Sequence, residues 1–181
     1  MGSEIAVKRL KCELFKNIPG FSSEAQRFWR KNLLILKRYC GEGLERMLVF
    51  DYMPNLKKKE QLNSHSWMAI ARRCAQGLMN LHHDTDFVLV HGNIKSTNVL
   101  LGPTFAPKIV DFGLSRVLND SVATAKVCFG YAPPEDTKGE AFTKGSDVFR
   151  FGILLLELIS GKNPSEKIQK ETGKLSIVEW A

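Results

Sequence analysis

Apolar residues at spacings of three and four predict a helix in the middle of the chain. This helical stripe starts after Ser66, a residue type suited to capping, and consists of Trp67, Ile70, Ala71, Cys74, Ala75, Leu78 and Leu81. A second segment, Asp147 to Ser160, is apolar on almost every side and is followed by Gly161. This pattern predicts a helix buried in the core, with Gly161 as its C-terminal stop.

Shorter apolar runs predict strands in the first part of the chain. Glu4 to Leu10 is typical of a strand, and a short helix is predicted near Ser22 to Glu24. Two further strands, Leu33 to Tyr39 and Arg46 to Phe50, flank the turn residues Gly41 to Gly43 and predict a hairpin.

The pattern changes once, between residues 54 and 66, from mainly strands to mainly helices. Beyond that change, short apolar runs occur at Phe87–Val90, Val99–Leu101 and Lys108–Val110, the last two joined across Gly102-Pro103. Polar residues fill the gaps between the runs. Short strands that present polar loops are a common way to build a site, so we expect the chemistry in this region.

The composition is that of one folded unit. The chain has 181 residues, 44% of them hydrophobic and 25% charged, which excludes disorder, collagen and coiled coil. The net charge is +7, but the charges are dispersed and the one tight run is Lys57 to Lys59. No nucleic-acid-binding motif accompanies the charge, so we expect no nucleic-acid partner.

The sequence predicts a cytoplasmic chain without a direct membrane span. Its longest apolar run, Val148 to Ile159, is interrupted by Arg150 and Glu157 and is shorter than the roughly 20 residues that a bilayer span needs. The first residues match neither a signal peptide nor a myristoylation motif. The four cysteines are widely spread with no CxxC pair, which favours reduced thiols.

Six short motifs occur in a fixed order. Taken alone, Lys8 would be a strand-end lysine, Asp111 part of a turn and His91 a hydrogen-bonded core histidine. The ordered series is Ile5-Ala6-Val7-Lys8, Phe21-Ser22-Ser23-Glu24, His91-Gly92-Asn93-Ile94-Lys95-Ser96-Thr97-Asn98, Asp111-Phe112-Gly113, Pro134-Glu135 and Ser146-Asp147-Val148-Phe149-Arg150-Phe151-Gly152. That series resembles the protein-kinase signature set. The residues of these motifs, together with the segment Leu48 to Pro54, are similar to those of plant receptor-like kinases of the Ser/Thr type.

The resemblance implies an α+β, bilobed protein-kinase-like fold in a single domain over residues 1–181. Residues 1–53 would form an incomplete, small, β-rich N-lobe with the hinge. Residues 54–181 would form a partial, mainly helical C-lobe that lacks its last helices, which would leave an apolar face open. With about three strands, the N-lobe sheet would have the Lys8 strand at its edge, and we expect marginal stability.

The resemblance also implies ATP and Mg²⁺ as ligands, with a role for each residue of the site. Lys8 would neutralise the α- and β-phosphates and would pair with Glu24. Asn98 and Asp111 would bind Mg²⁺, and Lys95 would contact the γ-phosphate. For adenine, the family implies the hinge Asp51-Tyr52-Met53 as backbone partner and Ala6 and Leu100 as apolar walls. Asp147 would brace the backbone at His91 and Gly92, its alternative being a simple helix cap.

The chain departs from the family at the catalytic loop. Kinases have His-Arg-Asp there, and its Asp accepts the proton of the substrate hydroxyl, whereas this chain has His91-Gly92-Asn93. An amide can orient a hydroxyl but cannot take up a proton near neutral pH. The chain also begins seven residues before Lys8, so we expect no glycine-rich loop over the phosphates.

Three functions therefore stay open. The first is a pseudokinase that binds ATP and Mg²⁺ and acts in signalling by docking to a partner kinase or receptor protein. The second is a weakly active Ser/Thr protein kinase, because Lys8, Lys95, Asn98 and Asp111 are present. The third is a truncated product with no stable function. Any recruitment to the plasma membrane would occur through a partner protein.

Overall fold

The fold was analysed in a computed structural model. It describes residues 4–9, 31–42, 45–54, 63–83, 89–112, 130–134, 142–164, 168–170 and 173–175. The short helix predicted near Glu24 and the Lys57 to Lys59 run lie outside these residues.

The N-terminal part forms an antiparallel sheet. Its strands are β1 (Ile5–Arg9), β2 (Arg38–Glu42) and β3 (Glu45–Asp51), in the order β1-β3-β2. Lys8 lies opposite Leu48, which is almost completely buried. Within the residues described here, the sheet has three strands and β1 bonds only to β3, so the sequence correctly predicts β1 as an edge strand.

The two faces of β1 differ, because side chains alternate along a strand. Ala6 and Lys8 are half-buried on one face, whereas Ile5 and Val7 are more than half exposed on the other. The face that carries Lys8 is therefore the one turned towards the rest of the protein.

The predicted hairpin is correct in pairing but not in its first strand. Residues 33–37 precede β2 instead of belonging to it, and Leu33 forms a parallel bridge with Ile109. Leu34 N donates to Ile109 O at 2.9 Å, and Ile109 N donates to Asn32 O at 2.8 Å. Leu33, Leu34 and Leu36 of this run are buried, which explains why its pattern resembled a longer strand.

Helix α1 (Ser64–His83) carries the predicted stripe into the core. The stripe residues Ile70, Cys74, Leu78 and Leu81 are buried there, whereas Ala75, also predicted in the stripe, is exposed. Its cap lies three residues before Ser66, the residue that the sequence suggested as the cap. Asn63 precedes the helix and its Oδ1 accepts from Ser66 N at 2.9 Å, so Ser66 is a donor to the cap.

Helix α2 (Lys144–Ser160) begins three residues before the predicted start at Asp147. Thr143 is its N-cap in a capping box with Ser146, and Gly161 ends it in the left-handed conformation with φ 67°. Leu154 is buried, as predicted, but Val148 and Ile159 are exposed. The helix is therefore buried along one side only.

Two short strands follow the catalytic-loop motif. β4 (Val99–Leu101) and β5 (Pro107–Ile109) form the predicted hairpin, and a single 3-10 turn, Ser96–Asn98, precedes β4. Leu89 and Val90 are not in a strand, contrary to prediction; Leu89 N instead donates to Leu81 O. A further hairpin, β6 (Ile168–Lys170) with β7 (Gly173–Leu175), was not predicted.

An apolar groove of about 510 Å³ lies between α1 and α2. Its lining includes Trp67, Leu155 and Leu158, together with the strongly exposed Met68 and Ile159. An open apolar face was expected in this part of the protein. Neither helix in the described part of the chain combines the length and hydropathy needed to cross a bilayer.

Candidate functional site

The site begins with an ion pair that joins the two lobes. Lys8, on the inner face of β1, donates from Nζ to Oδ2 of Asp111, which lies two residues beyond β5. The Lys8 side chain is 42% exposed and that of Asp111 is 16% exposed. Two residues with predicted phosphate and metal roles are therefore in contact, although 103 positions separate them. The predicted partner Glu24 lies outside the described residues.

Asp111 adopts an uncommon backbone conformation. Its φ is 65°, in the left-handed region, which is sparsely populated by residues other than glycine. Such conformations cost free energy and cluster at functional sites, where the surrounding structure enforces them. Aspartate adopts this conformation more readily than most residues, and Asn32 and Phe105 share it in this structure.

Asn98 is fixed beside Asp111 by its backbone and its side chain. Val110 N donates to Asn98 O at 3.0 Å, which extends the β4–β5 pairing to the residue next to Asp111. Asn98 Nδ2 donates to Asn93 O at 2.9 Å. This bond holds the side-chain amide of Asn98, which is buried.

The side chains of Asn98 and Asp111 offer oxygen atoms of the type that binds magnesium. Mg²⁺ prefers oxygen ligands and is usually held by one or two carboxylates together with phosphates and waters. Among the described residues there is no group of three or more His, Cys, Asp or Glu side chains that could hold a metal alone. Asp111 and Asn98 offer one carboxylate and one amide oxygen, so phosphates and waters would have to supply the other ligands of such an ion.

Asp147 anchors the start of the catalytic loop. Its fully buried carboxylate accepts from His91 N at 2.7 Å, from Gly92 N at 2.8 Å and from His82 Nε2 at 2.9 Å. The predicted brace is thus confirmed, and the helix-cap alternative is wrong because Thr143 caps α2. Sequence reasoning missed His82, although a histidine next to the buried stripe at the end of α1 was a usable signal.

His91 is both a core histidine and a part of the loop. It is completely buried; Nε2 lies 2.9 Å from Val110 O, and Nδ1 accepts from Asn93 N at 3.2 Å. These partners assign the proton to Nε2 of a neutral ring. Burial lowers the pKa of His91, and the charges of Asp147 and Asp111 offset this only in part.

The residues predicted to contact adenine lie on β1, on β4 and in the segment that follows β3. Ala6 lies opposite Phe50, and Ala6 and Leu100 are half-buried. A Cβ placed on Gly102 would lie 3.7 Å from Met53 Sδ, which puts Met53 beside the end of β4. The Asp51 carboxylate pairs with Lys37, so only its backbone remains for the predicted hinge role.

Comparison with known proteins identifies this arrangement. A family model described as protein tyrosine and serine/threonine kinase matches residues 1–179. The chain belongs to the protein kinase family. The resemblance found in its ordered motifs is confirmed, and so is the kinase-like α+β fold.

The relatives of this kinase domain are plant kinases. It is 38% identical to a PTI1-like tyrosine-protein kinase of Arabidopsis thaliana over 99% of this chain and 54% of that protein. It is 37% identical to the proline-rich receptor-like protein kinase PERK13 of Arabidopsis thaliana, over 99% of this chain and 27% of that protein. The chain thus spans about half or less of the length of the curated relatives that it matches.

A solved structure with the same fold is a pseudokinase. The pseudokinase domain of BIR2, described as an immune regulator of the RLK/Pelle family, matches with a TM-score of 0.79 and 29% identity. The match covers 99% of this chain and 56% of that chain.

In this kinase domain the loop residue Asn93 is held firmly by its backbone. Its N–H donates to His91 and its carbonyl accepts from Asn98. Asn93 and Lys95 are half-buried in the loop that Asp147 anchors. The structure therefore brings Lys8, Asn98 and Asp111 together and keeps Asn93 and Lys95 in the same loop, whereas the predicted roles of their side chains remain predictions.

Proposed function

We propose that the chain is a pseudokinase domain that binds ATP with Mg²⁺ and transfers phosphate poorly. The observation that carries the proposal is a contrast within one site. Lys8 pairs with Asp111, and Asn98 is bonded through its backbone to Val110, the residue before Asp111, whereas the loop carries an amide at Asn93 where the family has a carboxylate.

The residues present suit nucleotide binding. Catalysis of phosphoryl transfer consists mainly of positioning phosphates and neutralising charge. Lys8 would provide a cation to the α- and β-phosphates, and Asn98 and Asp111 would hold Mg²⁺. When bound, that ion would neutralise charge on the phosphates. Ala6, Leu100 and Met53 would contact adenine, with backbone groups at Asp51 to Met53 as polar partners.

Asn93 removes the proton acceptor. A carboxamide offers an oxygen to a substrate hydroxyl but does not take up its proton near neutral pH. General-base assistance is typically worth about 10²- to 10⁴-fold in rate. Asp147 and His91 hold the backbone of the loop, which supports placing the proposed defect in the chemical group of Asn93.

The proposed role is in signalling through protein partners. The relatives include receptor-like kinases, and the structural neighbour BIR2 is described as an immune regulator. We therefore infer a receptor or a partner kinase as the binding partner. Cytoplasmic placement, with membrane recruitment through that partner, belongs to the same proposal.

Thermal unfolding with and without Mg-ATP tests the binding step. A ligand that binds only the folded state adds about 2.7 kcal/mol at a hundred times its Kd, so Mg-ATP should raise the melting temperature. Asp111→Asn should abolish most of that shift. Glu45→Gln removes a carboxylate that pairs with Arg9, and its shift should equal that of the wild type. No shift in the wild type would contradict the proposal.

A weakly active Ser/Thr kinase is the second candidate. The observation in its favour is that Lys8, Lys95, Asn98 and Asp111 are all present. Transfer of radiolabelled γ-phosphate to a protein substrate distinguishes the two functions. Transfer by the wild type that is lost in Asp111→Ala would establish the kinase and contradict the pseudokinase.

A further inference from the structure

The outer edge of β1 pairs with no other strand in the described part of the chain. In an antiparallel ladder, successive residues direct their backbone N–H and C=O groups to opposite edges of the strand. Tyr52 N donates to Glu4 O at 3.3 Å, in register with the rest of the β1–β3 ladder. Glu4 therefore bonds towards β3, and so do the other even-numbered residues of β1. Ile5 and Val7 direct their backbone groups to the outer edge.

The side chains along this edge suit a second strand. Ile5 and Val7 are 52% and 54% exposed, and β-branched residues pack well across a strand pair. An open strand edge is a template for pairing with another chain, and an inward-pointing charged residue is one device that blocks it. Lys8 occupies such a position, on the half-buried face of β1. A partner strand must therefore bring a group that suits the charge of Lys8.

The strand β1 itself brings that group in one antiparallel register. If a two-fold axis passes through Ala6, Glu4 lies opposite the partner's Lys8. On the other face, Ile5 lies opposite the partner's Val7. Each contact occurs twice because of the symmetry, and cross-strand pairs of opposite charge or of β-branched residues are both stabilising.

The backbone selects the same register. Ile5 and Val7 both bond outwards, so opposing them gives hydrogen-bonded pairs on each side of the axis. Ala6 then faces the partner's Ala6 in a non-hydrogen-bonded pair, where the Cα atoms approach to about 4.5 Å. Alanine is the smallest side chain of β1 and suits this close approach. An axis through Val7 or through Lys8 would instead place Lys8 opposite an alanine or a second lysine.

We propose that the outer edge of β1 is a self-association surface, on which a second copy of this chain pairs antiparallel about Ala6. The carboxylate of the partner's Glu4 would lie beside Lys8, whose side chain is 42% exposed although it pairs with Asp111. The second copy would thus contribute a charged group to the site at Lys8. One pair of five-residue strands is small beside the roughly 1,600 Å² of a standard interface, so we expect a weak, reversible dimer. The pairing needs no nucleotide and is independent of the proposed function.

Disulfide formation across the two-fold axis tests the register. Ala6→Cys places two thiols within the Cα separation of about 4.4–6.8 Å that a disulfide requires. Val7→Cys is the matched control, because its thiols would lie on a diagonal at about 7–8 Å although Val7 is the more exposed residue. Under mild oxidation of the full chain, Ala6→Cys should form several-fold more disulfide dimer than Val7→Cys. The wild type gives the background of the four native cysteines, and mass spectrometry locates the bridge. Equal yields, or a higher yield from Val7→Cys, would overturn the proposal.

Sedimentation equilibrium over a range of protein concentrations tests the association without an introduced thiol. The wild type should show a monomer–dimer equilibrium. Glu4→Lys places lysines opposite each other twice, so it should raise the Kd of the dimer at least about tenfold. Glu42→Lys makes the same change of charge at the exposed end of β2 and should leave that Kd unchanged. A wild type that stays monomeric at every concentration, or a dimer that Glu4→Lys leaves intact, would overturn the proposal.

Discussion

At the scale of single residues, the ion pair between Lys8 and Asp111 is expected to contribute little to stability. Exposed pairs contribute only about 0 to 1 kcal/mol, and the Lys8 side chain is 42% exposed. In the proposed complex, phosphates would take the place of Asp111 as the partner of Lys8. A cation would take the place of Lys8 as the partner of Asp111.

Lys8→Met is therefore expected to separate binding from folding. We expect the free energy of unfolding to change by less than about 1 kcal/mol, because the pair is partly exposed. The rise in melting temperature with Mg-ATP should be lost. Arg9→Met is the matched control: Arg9 is the next residue of β1, lies on the opposite face and pairs with Glu45. It should retain the full Mg-ATP shift, and equal losses in both variants would contradict the assignment.

His91 predicts how stability depends on pH. Burial lowers its pKa in the folded protein, whereas the unfolded chain has the ordinary value of about 6.5. The contribution of His91 to the free energy of unfolding is fully present above about pH 6.5. It is lost as the pH falls from about 6.5 towards the lowered pKa of the folded protein, because only the unfolded chain gains the proton.

Urea unfolding at pH 7.0 and pH 5.5 checks this prediction. The wild type should lose more stability than His91→Gln between the two pH values, by no more than about 1.4 kcal/mol per pH unit, the limit for one shifted group. A wild type and a variant with the same pH dependence would show that His91 does not titrate in this way.

At the scale of elements, α2 depends on its N-terminal cap. Ser146 N donates to Thr143 Oγ1 at 3.1 Å, and Thr143 N donates to Ser146 Oγ at 3.3 Å. Because Asp147 follows in the first turn, the cap also sets the position of the carboxylate that holds His91 and Gly92.

Thr143→Ala should lower the free energy of unfolding by about 1 kcal/mol, the usual cost of losing such a cap. Thr143→Ser retains the accepting hydroxyl and should cost only a few tenths of that amount. Chemical unfolding of the three proteins gives both differences. If the alanine and serine variants are equally stable, the capping hydroxyl does not support α2.

The sequence predicted elements better than it predicted their ends. The stripe in α1, the strand at Val99–Leu101 and the stop at Gly161 follow from local pattern, and the structure confirms them. The helix starts were wrong because several polar residues near each start can serve as caps. The run at Leu33 was mistaken for a strand because burial in the core produces a similar apolar pattern.

Contacts between distant elements were largely beyond the sequence. The order of the motifs correctly placed Asp147 at His91, because the family resemblance supplies that contact. The pairing of Lys8 with Asp111 and the links from Glu157 to Ser96 and Tyr131 depend on how the elements pack. No periodicity in a single chain encodes such partners.

At the scale of the whole molecule, the described residues leave much apolar surface uncovered. Ile5 and Val7 are exposed on the edge strand, and Met68 and Ile159 are exposed at the groove between the two helices. Exposed apolar patches of this kind add no folding free energy and favour association.

We therefore expect the isolated chain to be marginally stable. Its melting temperature as a purified monomer should lie below about 50 °C, in the lower part of the usual range for mesophile domains. Calorimetry at low protein concentration, with sedimentation to verify the monomer, gives the value. A cooperative transition well above that temperature would show that the described contacts suffice for ordinary stability.

The central claim joins these scales: a kinase fold keeps its groups for phosphate and cation while an amide replaces the catalytic carboxylate. The most direct test is the rate of γ-phosphate transfer by the wild type and by Asn93→Asp, measured side by side with Mg-ATP and a generic protein substrate. The account predicts that Asn93→Asp transfers phosphate at least about tenfold faster than a nearly inactive wild type. A wild type that transfers phosphate as fast as Asn93→Asp would contradict it.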